Sequence, residues 1–193
     1  MSPRDEALVD ALAAQLPQTQ CRRCGHDGCR PYAEALVTAG ASNALCPPGG
    51  EVTRQALARI LGRDAPVAPL PDEPARVARV READCIGCRR CVDVCPVDAI
   101  IGAAGRMHTV FDAWCNGCAL CAPVCPTDCI ELLPVTTSPT AAQNLARHQR
   151  RAARAQGVRH APREHALVPL EQDPAALAAA VQAAVARRRG RAQ

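Results

Sequence analysis

A cysteine pattern repeated at an interval of 30 residues constrains this chain more than any other feature. When CIGCRRCVDVCPVDAI (85–100) is set above CNGCALCAPVCPTDCI (115–130), nine of sixteen positions coincide. They are four cysteines, Gly87/Gly117, Val94/Val124, Pro96/Pro126, Asp98/Asp128 and Ile100/Ile130. Matched cysteines at this period predict two copies of one metal-holding unit, related by a pseudo-two-fold axis. Composition points the same way. Tyr32, Phe111 and Trp114 are the only Tyr, Phe and Trp among 193 residues. Large aromatics usually dominate a core, so something else must hold this one together, and a large-pocket enzyme is disfavoured.

Each copy reads C-x2-C-x2-C-x3-C-P, the run of bacterial two-cluster ferredoxins, whose fourth cysteine ligates the other cluster. The spacing therefore assigns Cys85, Cys88, Cys91 and Cys125 to one [4Fe-4S] cluster, and Cys115, Cys118, Cys121 and Cys95 to a second. Three thiolates within seven residues wrap one face of a cube. The fourth is expected to leave on a short helix after the proline and point to the neighbouring site. Gly87 and Gly117 are expected to let the backbone approach the sulfides and donate N–H groups. Pro96 and Pro126 suit the first turn of a helix. Structural zinc sites usually use two separated cysteine pairs, which these crowded runs do not resemble. The group Cys21, Cys24, Cys29 and Cys46 has the spacing C-x2-C-x4-C-x16-C. Four thiolates suffice for one cubane or one zinc ion, and the spacing leaves both open.

The rest of the chain places these groups. Leu8, Val9, Leu12 and Leu16 recur at helical spacing, predicting a helix over 4–20 that Pro17 ends. Two more helices are predicted over 32–39 and 51–61, stopped by Gly40 and Gly62. Residues 63–76 hold four prolines and read as a semi-rigid linker. Residues 77–83 and 107–112 read as strands by β-branched content, with short helices after Pro96 and Pro126. The expected architecture is α+β. A small helical four-cysteine domain (4–62) precedes a two-cluster ferredoxin-like domain (77–135, repeats 84–101 and 114–131). An Ala/Arg-rich extension (136–193) follows, helical or weakly ordered, with helices expected over 141–159 and 174–189. Residues 1–138 carry a net charge of −3 and residues 139–193 carry +7. Arg147, Arg150, Arg151 and Arg154 lie on the first of those tail helices. The tail reads as a solvated extension in preference to a docking element. No nucleic-acid partner is expected, because no recognition motif or aromatic platform accompanies the charge.

The longest apolar stretch, 174–186, falls short of the roughly 20 residues a membrane span needs. The acidic start, MSPRDEALVD, lacks the positive region of a signal peptide. The chain is therefore read as cytoplasmic, where cysteines stay reduced and a dense set serves metal binding. Four further residues carry weaker signals. Cys129, opposite Ala99 in the repeat, reads as a small buried hydrophobe beside a cluster. His108 reads as a packed histidine on a strand. His26 reads as a shaper of the loop between Cys24 and Cys29, and Trp114 as a shield against water.

QTQCRRCGHDGCRPYAEAL and CPPGGE (18–36 and 46–51) resemble the iron–sulfur domain of the B subunit of Rnf/Rsx-type electron transport complexes. Residues 84–135 resemble that family's two-cluster ferredoxin domain. The resemblance implies a [4Fe-4S] cluster on Cys21, Cys24, Cys29 and Cys46, hence three clusters on twelve thiolates. It also implies a relay of single electrons between a redox donor and acceptor, including membrane Rnf/Rsx subunits, within a complex that drives ion translocation. The chain itself shows no catalytic triad and no glycine-rich nucleotide loop, so no catalytic residue is assigned. Family members usually begin with a hydrophobic anchor, whereas this sequence opens on the helix before the first cysteine group. Peripheral association with the cytoplasmic face of the inner membrane is the expectation. A free-standing soluble ferredoxin, serving another oxidoreductase or reducing a redox-sensing iron–sulfur regulator, is the alternative.

Overall fold

The computed structural model describes residues 2–63 and 73–160. Most of the proline-rich linker and the helix expected over 174–189 lie outside these residues. By its contacts the chain divides into Met1–Arg154 and Ala155–Gln193. Of the second unit only the end of one helix is described.

Helix α1 spans Pro3–Ala14. Its start is a capping box: the Ser2 Oγ accepts from the Asp5 N–H at 3.2 Å, and the Asp5 carboxylate accepts from the Ser2 N–H at 2.9 Å. It ends six residues earlier than the sequence pattern suggests. The Gln18 Nε2 donates to the Ala13 carbonyl at 2.6 Å, and Gln18 and Gln20 turn the chain away with φ of 57° and 55°. Helix α2 is Cys29–Thr38, and helix α3 is Gly50–Leu61. Gly62 closes α3 in the left-handed conformation, φ 61°. Val9, Leu12, Leu16, Tyr32, Leu36 and Leu57 bury together as one apolar core.

A second core surrounds two small sheets. Strand β1 (Arg76–Val80) pairs antiparallel with the last strand, Ile130–Pro134, setting Ala78 opposite Leu132. Between them lie a helical turn, α4 (Arg90–Val94), and a two-residue ladder of β2 (Ile100–Ile101) with β3 (Thr109–Val110). The closing strand is β4. Both strands expected from the sequence are shorter than predicted, because each runs into a 3₁₀ turn, Glu82–Asp84 or Asp112–Trp114. These turns are again 30 residues apart. The helices expected after Pro96 and Pro126 do not form. Turns follow both prolines, and the one short helix, α4, precedes Cys95. Asp98 and Asp128 explain this: their φ values of 52° and 49° cannot continue a right-handed helix. The repeat extends to other unusual backbone positions, with Gly87/Gly117 at 69° and 67° and Arg89/Ala119 at 66° and 63°.

Helix α5 spans Ala141–His160 and begins on a second capping box, Thr140 with Gln143. The solvated extension expected from the charge pattern is instead docked over 144–154. The buried Asn144 Nδ2 donates to the Pro17 carbonyl at 3.0 Å. The Arg147 guanidinium lies 3.7 Å above the Trp114 ring. Arg151 donates to the Asp98 carboxylate at 3.0 Å, and Arg154 pairs with the same group. An isolated +7 segment gave no reason to stay on the surface, but acceptors at Asp98 and Pro17 supply one. Among the described residues no helix is long and apolar enough to cross a membrane.

Candidate metal centres

Three groups of four cysteines come together. In the first, Cys21 and Cys24 follow Gln20 in a turn, Cys29 opens α2, and Cys46 directly precedes a 3₁₀ turn, Pro47–Gly49. Cys46 feels the charges of Cys29, Cys21 and Cys24, so the four are close neighbours. Burial pushes the Cys29 thiol up to about 11 and the Cys46 thiol up to about 12. The loops are held by side chains. The Gln20 Oε1 accepts from the Cys29 N–H at 2.8 Å, and a Cβ on Gly28 would lie 2.6 Å from that oxygen. The Tyr32 hydroxyl donates to the Ser42 carbonyl at 2.7 Å, and the His26 ring stacks on Tyr32 at 5.3 Å.

Cys85, Cys88, Cys91 and Cys125 line one small cavity, with Cys129 beside Cys125. Three of these thiols come from the first repeat, and two, Cys125 and Cys129, from the second. The reciprocal group also assembles: Cys95 acts electrostatically on Cys115, Cys118 and Cys121. Burial pushes Cys91 up to about 11, and Cys118 and Cys121 up to about 12. At Cys125 burial also acts upward, but hydrogen bonds from the Cys129 backbone and from Thr127 outweigh it and hold the thiol at about 7. Several sulfurs receive backbone donors. The Ala78 N–H points at Cys115 Sγ at 3.4 Å, the His108 N–H at Cys85 Sγ at 3.4 Å, and the Ala99 N–H at Cys95 Sγ at 3.3 Å.

The two glycines act differently from the sequence expectation. A Cβ on Gly87 would lie 2.5 Å from the Arg106 nitrogen, and one on Gly117 would lie 2.5 Å from the Arg76 oxygen. The room these glycines leave is filled by the chain entering the paired strand, and their positive φ gives the thiol loop its turn.

The residues present fit iron–sulfur cubanes. Buried thiols that resist ionisation need a cationic group to become thiolates, and the N–H groups aimed at sulfur suit thiolate acceptors. Among the described residues, no three His, Cys, Asp or Glu side chains converge tightly enough for one metal ion. The thiols of the second group ring a cavity, which suits a cube that holds its four sulfur ligands apart. Cys129 is buried in the core as expected, with its Sγ 3.4 Å from that of Cys125. Trp114 packs against the same core beneath Arg147. His108 is packed, only 1 % exposed, but its ring touches sulfur: Nδ1 lies 3.4 Å from Cys91 Sγ and 3.8 Å from Cys85 Sγ. Sequence reasoning missed that contact. The signal was present, because the repeat offset aligns His108 with Ala78.

The groups are also ordered. Asn116, between two cysteines of the third group, donates its Nδ2 to the Thr19 carbonyl at 3.2 Å. Cys21 and Cys118 line a shared cavity of about 310 Å³. Cys91 in turn acts electrostatically on Cys121.

Two thiol groups on loops of one repeat, beside a further four-cysteine loop cluster, define an iron–sulfur protein of the ferredoxin class. The family model for the 4Fe-4S dicluster domain matches residues 76–132, and an Fe-S cluster family matches residues 16–48. Relatives cover more of the chain. The B subunit of the ion-translocating oxidoreductase complex of Pseudomonas paraeruginosa is 56% identical over 128 residues, 66% of this chain and 68% of that protein. Its counterpart in Alcanivorax borkumensis is 56% identical over 136 residues, 67% of this chain and 69% of that protein. The counterpart in Shewanella sediminis is 54% identical over 132 residues, 67% and 69% of the two chains. The chain belongs to this family, the B subunits of Rnf-type ion-translocating oxidoreductase complexes.

Proposed function

We propose that this chain relays single electrons through three [4Fe-4S] clusters as the B subunit of an ion-translocating oxidoreductase complex. The first is held by Cys21, Cys24, Cys29 and Cys46, the second by Cys85, Cys88, Cys91 and Cys125, and the third by Cys115, Cys118, Cys121 and Cys95. The observation that carries this reading is the exchange of fourth cysteines, with Cys125 in the cavity of the first repeat. When bound, each cubane accepts and gives up one electron without transforming a substrate. The chain does the rest. Its thiols close all four corners of each cube, so no iron position stays open for a substrate. Asn116 ties the third thiol group to the loop before the first, and Cys91 approaches Cys121, giving the row first, third, second. Cys88, the one exposed cysteine, puts the second group at the surface, where a redox partner exchanges electrons. The work site is the cytoplasmic face of the membrane, where the other subunits of the complex are the partners.

Anaerobic purification with iron and sulfide analysis and an EPR-monitored redox titration tests this. About twelve irons and twelve sulfides per chain, with three reducible signals, are expected from four-iron clusters. About eight irons would remove the cluster on Cys21, Cys24, Cys29 and Cys46, and a colourless protein without labile sulfide would end the reading.

A further inference from the structure

The two halves of the ferredoxin repeat differ at a buried position beside a thiol group, where His108 stands in one and Ala78 in the other. We propose that His108 is a positioning residue that raises the reduction potential of the cluster on Cys85, Cys88, Cys91 and Cys125 by donating an Nδ1–H hydrogen bond to the Cys91 thiolate. This deepens the reading above and rests on it.

The geometry is specific. His108 and Ala78 are equivalent by the offset of 30, and each donates its backbone N–H to the first cysteine of the opposite repeat at 3.4 Å. Ala78 ends there with a methyl group. His108 adds an imidazole whose Nδ1 is 3.4 Å from Cys91 Sγ. A thiolate ligand has no proton to give, so this contact is attractive only with the hydrogen on Nδ1. The bare nitrogen is then Nε2, which is buried and has no hydrogen-bond partner. An unpaired acceptor at Nε2 is what that tautomer leaves behind.

The fold makes room for the ring. Continuing the β2–β3 register by one step sets Gly102 opposite His108. A Cβ on Gly102 would overlap the imidazole. In the other sheet the sizes are exchanged, with Leu132 opposite Ala78. A large residue thus faces a small one in both halves, but only one half turns the large residue into a donor beside sulfur.

Reduction adds negative charge to a cluster and its thiolates. A fixed N–H dipole stabilises that charge more than the oxidised state, so it raises the potential. A hydrogen bond to a charged sulfur changes the redox equilibrium by about tenfold, or 59 mV for one electron.

The test is an anaerobic EPR-monitored titration of the full chain, wild type against three variants. His108→Ala removes the donor. His108→Ala with Gly102→Leu also removes it and sets a leucine opposite an alanine as in the other half, at a glycine whose φ of 158° adds strain. His108→Asn keeps a side-chain N–H near the Nδ1 position. One of the two ferredoxin-domain signals is expected to become about tenfold harder to reduce in both alanine variants, and to recover in the Asn variant, while the remaining signals stay in place. Unchanged potentials with clusters intact overturn the proposal, as do equal shifts of both ferredoxin signals. Loss of one cluster in all three variants overturns it in favour of a packing role. A wild-type chain with no reducible iron–sulfur signal overturns the electron-relay reading together with it, which separates the two failures.

Discussion

Gly117→Ala is the sharpest probe of the repeat geometry. Gly117 has φ 67°, a conformation that costs an L-residue about 1–2 kcal/mol. Gly105 has nearly the same φ, 70°, yet a Cβ there meets nothing within 4 Å. At Gly117 the added carbon would sit 2.5 Å from the Arg76 carbonyl oxygen. Backbone cannot swing aside as a flexible side chain does, and Arg76 opens β1, whose Ala78 N–H supports Cys115. Forcing extra volume into packed structure costs about 1–3 kcal/mol more. Gly105→Ala measures conformation alone, and Gly117→Ala measures conformation plus clash. For a cooperative unit of about 150 residues each kcal/mol moves the midpoint by about 2–4 °C. Gly105→Ala is therefore expected to melt about 2–8 °C below wild type, and Gly117→Ala a further 2–12 °C below that. The assay is circular dichroism melting of the iron-loaded chain under anaerobic conditions at one scan rate. Equal losses for the two variants would refute the argument that the approach of Arg76, and not the positive φ, makes this glycine obligatory.

Removing iron is expected to unfold residues 77–133, because a domain of about 60 residues buries too little surface to stand without a staple; an iron-free chain retaining all its native ellipticity and one sharp melt would contradict this. The segment of α1, α2 and α3 is as small but buries Val9, Leu12, Leu16, Tyr32, Leu36 and Leu57 together, so the structure an iron-free chain retains is expected there, and its stability should fall in alkali. The Cys29 and Cys46 thiols lie at about 11 and about 12, raised from 9.0, so their burial favours the folded form below pH 9 and that contribution fades as pH rises through 11 to 12. Melts of the iron-free chain at pH 8 and pH 11 read the difference directly. Tyr32→Phe leaves the Ser42 carbonyl and the Leu45 N–H without the hydroxyl that joins them, at a cost of about 1–3 kcal/mol; a lower midpoint and faster iron release to a ferrous chelator are expected, since Cys46 follows Leu45. Arg147→Ala should lower the midpoint by only about 1–4 °C, a cation–π contact at the surface contributing about 0.5–1 kcal/mol. It should shift the emission of Trp114, the single tryptophan, to longer wavelength as water reaches the ring.

Spacing alone determined much of this protein. Sequence-local chemistry groups Cys85, Cys88 and Cys91, and likewise Cys115, Cys118 and Cys121, because three thiols within seven residues can face one body whatever surrounds them. Helices α2 and α3 were also legible within a few residues, because their apolar spacing and closing glycines are local signals. Tertiary structure decided what depends on partners far along the chain. Asp98 and Asp128 take left-handed conformations that abolish the helices expected after the prolines. Helix α5 docks because Asp98 and the Pro17 carbonyl meet Arg151 and Asn144 from over 50 and over 100 residues away. His108 obeys the same logic: its letter marks a packed ring, and only the exchange of Gly102 for Leu132 across the two sheets shows why that ring rests on sulfur. Charge and periodicity describe a residue's own segment, whereas a hydrogen bond depends on which group the fold brings within three or four ångströms of it.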